Sequence, residues 1–527
     1  MSTAPTMAPA ALQSALHDGR EIALLDVRED GEFGEDHLLF ATPLPYSRLE
    51  LGIAALVPRK TARIVLCDDG SSGIAQRAAA RLAAAGYSDL AVLDGGINGW
   101  KAAGYPLFKG VNVPSKLFGE MVEHVYNTPR ITARDLVRMR ETNEDFVLFD
   151  GRPLHEHHKM TIPGSTCCPN AELPYRVASM VKNPNTKIVV NCAGRTRSIL
   201  GAQTLINFGV PNPVYALENG TQGWFLSDLQ LEHGSKLRYP ENLDAAALPA
   251  QQQAARELMQ RFKLRSVSAA EVAAWFQDRE RTTYLCDVRT PEEFAKGSIP
   301  GAQHTPGGQL IQATDQWVGV RNARIVLVDG GEAVRAPVVA SWLAQLGCEA
   351  YVLEGGVKAP VNVDIAPAPA LPQLPVIEAG ALKSLIDTQA CSVFDVGASM
   401  NFRKAHIPGS RWSIRSRIAA DAKNARQPLV LVGDTDVARL AATELLDAGI
   451  SDVRLLQGGL AVWTAAGHAT AATPDSPADR DCIDYLFFVH DRHAGNREAM
   501  KQYLAWETGL MAQLGEQDKS VFKLPAH

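Results

Sequence analysis

A chain of 527 residues, 46% hydrophobic and 21% charged, has the composition of ordinary globular protein with several domains. Its 52 basic and 58 acidic side chains leave a net charge of −6, too mild for a protein that holds nucleic acid or a membrane surface by bulk charge, so any anion site must be made locally. The N-terminus has no basic start followed by an apolar run, no stretch reaches the ~18 apolar residues of a membrane span, and the eight cysteines form no CxxC or paired framework, so a reduced, cytoplasmic protein is expected.

In chain order, one pattern recurs four times. The first unit begins with the buried strand ALLDVRED, which ends at Asp26. It continues through HLLFATP from His37, a second strand ARIVLC ending at Cys67, the helical stretch AQRAAARLAAAGY and the turn AVLDGGINGW. After the linker NVPSKLFGEMVEHVYNTPR, the second unit reads VLFDGRP at Asp150, TIPGS from Thr161, KIVVNC ending at Cys192, and VYALENGTQGW. The third has YLCDVRTPEEF at Asp287, SIPGA from Ser298, ARIVLV followed by Asp329, and AYVLEGGVKA. A Pro-rich linker, VDIAPAPALPQLP, leads to the fourth: SVFDVGASMNF at Asp395, HIPGS from His406, PLVLV followed by Gly433, and VRLLQGGLAVW. The tail leaves the repeat, and Met500, Tyr503, Leu504, Leu510, Met511 and Leu514 fall at helical spacing, as in a helix that docks on the repeats or on a partner chain.

Short apolar β-branched runs alternating with helix-period stretches argue for α/β units, each a parallel sheet covered by helices on both faces. Ligands in such sheets bind beyond the carboxyl ends of the strands. Cys67, Cys192, Asp329 and Gly433 are therefore read as the four equivalent loop positions.

The combination DVR or DGR, IPGS or IPGA, IVVNCAGRTRS and ENGTQGW resembles the rhodanese family. The resemblance implies four small tandem domains with sheets of about five strands, and a cysteine that carries a persulfide. The boundaries expected are 8–110, 128–236, 264–362 and 373–475, with a helical tail at 476–527. By the same resemblance, Asp150 and Arg152 are the strand-end pair that braces the loop.

Only the second loop looks equipped for chemistry. Cys192 is followed by Ala193, Gly194, Arg195, Thr196, Arg197 and Ser198 between a buried strand and a helix start. Loop amides, the helix dipole and the two arginines are expected to favour a thiolate and to attract an anionic donor. Gly194 is expected to let the backbone turn tightly. Cysteine phosphatases resemble this fold but have one more residue between Cys and Arg, so the shorter loop favours sulfur over phosphate. His155, Glu156, His157 and His158 read as solvated surface rather than a metal cluster, because adjacent histidines on a turn splay apart. Cys167 and Cys168 are candidate resolving thiols.

The third and fourth loops, with Asp329 and Gly433, have no nucleophile and read as inactive. In the first, Cys67 is a candidate second site opposed by Asp68 and Asp69. The reading is a thiosulfate sulfurtransferase that passes sulfane sulfur from a small anionic donor to cyanide or a thiol through a persulfide on Cys192. The alternative is a non-catalytic carrier or scaffold that takes persulfide from a partner protein. No metal, organic cofactor, nucleic-acid or membrane partner is expected.

Overall fold

The computed structural model describes residues 3–493 and 495–525. Four separate sheets, each wholly parallel, follow one another along the chain. The second is typical: its strands lie in the order Arg130–Ile131, Val214–Leu217, Lys187–Asn191, Phe146–Asp150 and Thr166–Cys167. The first and third repeat that order with Ile64–Cys67 and Arg324–Val328 at the centre. These central strands are buried on both faces, which is why their sequences are unbroken apolar runs and not alternating ones.

The fourth sheet departs from the expected five strands. It has four, Arg411–Trp412, Ser392–Asp395, Leu429–Val432 and Val453–Leu455. The missing edge is reduced to a single parallel bridge between Val376 and Leu455. The segment leading into it is the Pro-rich linker, and proline has no N–H to donate to a ladder.

The repeats pack on one another rather than hanging as beads. One hydrophobic cluster runs through the first and third repeats and takes in Ile199 and Leu200 of the second and Phe522 of the tail. Polar ties fix the orientations: Tyr46 donates to Glu444 of the fourth repeat at 2.7 Å, and Trp342 of the third donates to Thr204 of the second at 2.8 Å. Among the described residues, no helix is long and apolar enough to cross a membrane.

Candidate active site

The strand Lys187–Asn191 delivers Cys192 at its carboxyl end, and the helix Thr196–Phe208 begins four residues later. The turn between them is held from below. The Cys192 carbonyl accepts the Thr221 amide at 2.8 Å, and the Ala193 carbonyl accepts the Gln222 amide and side chain, each at 3.1 Å. That contact demands glycine at 220, which has φ +49°. A Cβ there would stand 2.1 Å from the Cys192 carbonyl oxygen. This is the physical reason for the first glycine in ENGTQGW.

Cys192 is 2% exposed, and its Sγ accepts a hydrogen bond from the Ser198 hydroxyl at 3.1 Å. Among the described residues, the amides of residues 193–198 have no protein acceptor, as expected for a loop running into the first turn of a helix. They stand beside a cavity of about 380 Å³ bounded by loop residues Cys192 to Arg197. Its other walls include Arg152, Glu156 and Lys159 of the same repeat, Lys116 of the linker, Gln309 and Gln312 of the third repeat, and Arg492, Tyr503 and Glu507 of the tail.

The charge at this loop corrects the expectation of a positive one. Arg195 is held by both oxygens of Glu120, at 2.7 and 2.9 Å, and also by Glu123. Arg197 forms a two-pronged pair with Glu156, at 2.7 and 2.8 Å. Burial pushes the Glu156 carboxyl up, but Arg197 outweighs it and holds the group at about 2. Both arginines are thus neutralised by carboxylates distant in sequence.

Gly194 also plays a different part from the one expected. Its φ is not positive. Instead, a Cβ there would come within 3.0 Å of Glu507 Oε2 and 3.6 Å of Tyr503. The glycine makes room for the tail.

Asp150 and Arg152 form a buried pair, with contacts of 2.9 and 2.6 Å. The rest of their hydrogen bonding goes to the turn after the strand: Arg152 donates to the Met160 carbonyl at 2.6 Å, and Thr161 donates to Asp150 at 2.8 Å. The pair fixes the strand end and that turn, and Arg152 also borders the cavity beside the loop, near the Arg197 partner Glu156 on the short helix Leu154–Lys159. The solvated reading of residues 155–158 is corrected in two places. His157 is fully buried, with Nε2 at 2.9 Å from the Ser165 carbonyl, and Glu156 is engaged by Arg197. Cys167 and Cys168 are buried. Burial, aided by Asp150, pushes the Cys167 thiol up to about 12, and burial also raises the Cys168 thiol.

The other three loops show what happens where no thiol stands. The strand register places Asp26 beside Cys67, and Asp150 beside Asn191. Ile97 donates to the Asp68 carbonyl at 2.9 Å, as Thr221 does to Cys192. The residue of the first repeat that is equivalent to Cys192 is therefore Asp68, which corrects the placement of Cys67. Cys67 ends the strand, fully buried. Burial, with Asp26 next, raises its thiol well above the ordinary range.

Asp68 turns its carboxylate onto its own loop, accepting the amides of Gly70 at 2.8 Å and Ala75 at 3.0 Å. Asp329 does the same with Gly330, Val334, Arg335 and Ala336, at 2.7 to 3.1 Å. In the fourth loop Asp434, next to Gly433, accepts from Asp436 and Val437. In each of these repeats a carboxylate of the loop takes amides that in the second repeat have no such partner.

The description "Rhodanese-like domain" matches residues 8–103, 132–227, 268–361 and 378–466. The chain is similar to a solved thiosulfate sulfurtransferase from Pseudomonas aeruginosa, with 42% identity and a TM-score of 0.91, covering 98% of this chain and 99% of that one. It is also 34% identical over 116 residues to an uncharacterized protein of Synechocystis sp., and 37% identical over 84 residues to one of Bacillus subtilis. These stretches are 22% and 16% of this chain, and 63% and 64% of the relatives, so the chain spans just under two thirds of each.

Proposed function

The chain belongs to the rhodanese family, with four such domains in tandem, and we propose that it is a sulfurtransferase acting through a persulfide on Cys192. The observation that carries this reading is the contrast among the four loops. The second alone, among the described residues, joins a thiol to a set of amides that no carboxylate of its own loop occupies. The relative solved as a thiosulfate sulfurtransferase supports thiosulfate as a donor.

In the first half-reaction the Cys192 thiolate attacks the outer sulfur of thiosulfate. The S–S bond of the donor breaks, sulfite leaves with the electron pair, and the enzyme keeps Cys192–S–S⁻. The Ser198 hydroxyl and the N-terminus of helix Thr196–Phe208 stabilise negative charge on the sulfur. The loop amides are placed to receive the anion as charge shifts to the leaving group. In the second half-reaction cyanide or a thiolate takes the outer sulfur and restores the thiolate. A covalent intermediate between two half-reactions gives ping-pong kinetics. The cavity's modest size and the tail helix across it favour small donors and acceptors over a partner protein, which would have to reach a thiol only 2% exposed.

The test is intact-protein mass spectrometry after thiosulfate treatment. One sulfur atom is expected to add, and cyanide to remove it as thiocyanate. Uptake that survives in Cys192→Ser would overturn the reading.

A further inference from the structure

The surroundings of Cys192 are completed by a segment more than three hundred residues away, the helix Arg497–Gly509. Its buried face carries Met500, Tyr503 and Glu507, spaced as one side of a helix. Two glycines admit it. A Cβ at Gly110, where φ is +95°, would lie 2.4 Å from the Trp506 ring, and one at Gly194 would lie 3.0 Å from Glu507.

Glu507 is 1% exposed. Its Oε1 accepts from the Thr196 hydroxyl at 2.8 Å and from the Lys116 ammonium at 3.3 Å, and Lys116 is enclosed by the rings of Tyr503 and Trp506. Its Oε2 has no hydrogen-bond donor among the described residues and faces Gly194. Burial raises the Glu507 carboxyl, but Lys116, Thr196 and Arg492 more than offset that, so the group is ionised at neutral pH.

Four cations around the loop have carboxylate partners, and Lys159 and Arg492 line the same cavity. Arg195 has Glu120 and Glu123, Arg197 has Glu156, Arg152 has Asp150, and Lys116 has Glu507. A donor entering the cavity meets loop amides, the buried Glu507 carboxylate and a wall that carries Lys159 and Arg492 besides the paired cations. Repulsion from a fixed charge scales with the charge of the donor, so a dianion is penalised about twice as much as a monoanion.

We propose that Glu507 sets the charge preference of the Cys192 site, disfavouring dianionic sulfur donors such as thiosulfate relative to monoanionic donors with the same leaving chemistry. This rests on Cys192 being the sulfur acceptor. Methanethiosulfonate is the matched monoanion. The Cys192 thiolate attacks its outer sulfur, the S–S bond breaks, and methanesulfinate leaves with the electron pair, as sulfite leaves thiosulfate.

The experiment compares kcat/KM for the two donors, with cyanide as acceptor, in the full chain. Glu507→Gln keeps an oxygen for Thr196 and removes the charge. The ratio of thiosulfate to methanethiosulfonate is expected to rise about tenfold at low salt, and the gain to shrink as salt is added. Lys116→Met, which leaves Glu507 without its counter-charge, should move the ratio the other way. A purely structural role would change both donors by one factor, and an unmoved ratio in Glu507→Gln overturns the proposal whatever the absolute rates. Should that variant not fold, an unmoved ratio in Lys116→Met overturns it equally. If the unaltered protein uses neither donor, or Cys192→Ser still uses one, the fault lies in the Cys192 reading and both proposals fall.

Discussion

The loops of the second and third repeats start from the same scaffold and end in opposite states. Each follows a buried central strand, and each gives an arginine to a glutamate at the same place after the strand-end aspartate: Arg197 to Glu156, and Arg335 to Glu293. In the third repeat the Asp329 carboxylate closes on its own amides, and the fully buried Arg335 gathers Asp329, Glu172, Glu293 and Glu332 into one cluster. In the second, a sulfur atom stands in place of that carboxylate and the amides border a cavity. The fold builds an anion cradle in every copy and leaves one choice open: whether the anion is supplied from within or from outside. An internal anion makes the loop a structural joint, and an external one, as proposed for the second repeat, would make it a reaction site.

The sharpest break of this comparison is at the two defining side chains. Cys192→Ser should lower turnover by at least about a thousandfold with little change in unfolding free energy, since it removes the nucleophile and little else. Arg335→Met should do the reverse. It leaves several buried carboxylates without their cation and should cost about 3 kcal/mol in denaturant-induced unfolding, with the sulfur-loaded mass of the surviving folded protein unchanged. If Arg335→Met stops loading while the fold stays intact, the third loop is part of the reaction site and the division fails.

A smaller effect tests what the two loops share. The Glu156 and Glu293 carboxyls are each held at about 2, against an ordinary 4.5. A depressed carboxyl contributes stability that is complete above its unfolded value and is lost as pH falls through its folded one. Glu156→Gln and Glu293→Gln should therefore each lower stability by about 2 kcal/mol at neutral pH, with the difference from the unaltered protein vanishing towards pH 2. Unfolding curves between pH 2 and 7 would show it, and a pH-independent loss would mean that the pairs act by packing alone. Smallest of all, Cys67→Ser should leave turnover within about twofold, because the thiol lies in the strand away from any cavity that holds Cys192.

Much of the scaffold was legible from sequence because central parallel strands must be apolar on both faces, so IVVN and IVLV stand out without any partner being known. In the first loop the thiol of Cys67 stands one residue before the position equivalent to Cys192. Counting from Asp26 as one counts from Asp150 to Cys192, or from Asp287 to Asp329, lands on Asp68. The charge state of the second loop was not legible, since Glu120, Glu123 and Glu156 reach the arginines only in the folded chain. Nor was the tail's part. Yet Glu507 continues the spacing of Met500 and Tyr503, and an acidic residue on a helix's apolar face was the one local sign that it has a partner inside the protein.

The wall supplied by Glu507 also has a consequence in time. Cys192 and its loop leave the ribosome about three hundred residues before Glu507 does, an interval on the order of tens of seconds at ordinary synthesis rates. A second repeat that folds as soon as it emerges would spend that interval with its thiol and bare amides open to any sulfur compound in reach, with no charge selection in force. A second repeat folded before Glu507 emerges would thus face different chemistry at the same cysteine, and the charge selection proposed above would be acquired only when the helix Arg497–Gly509 docks.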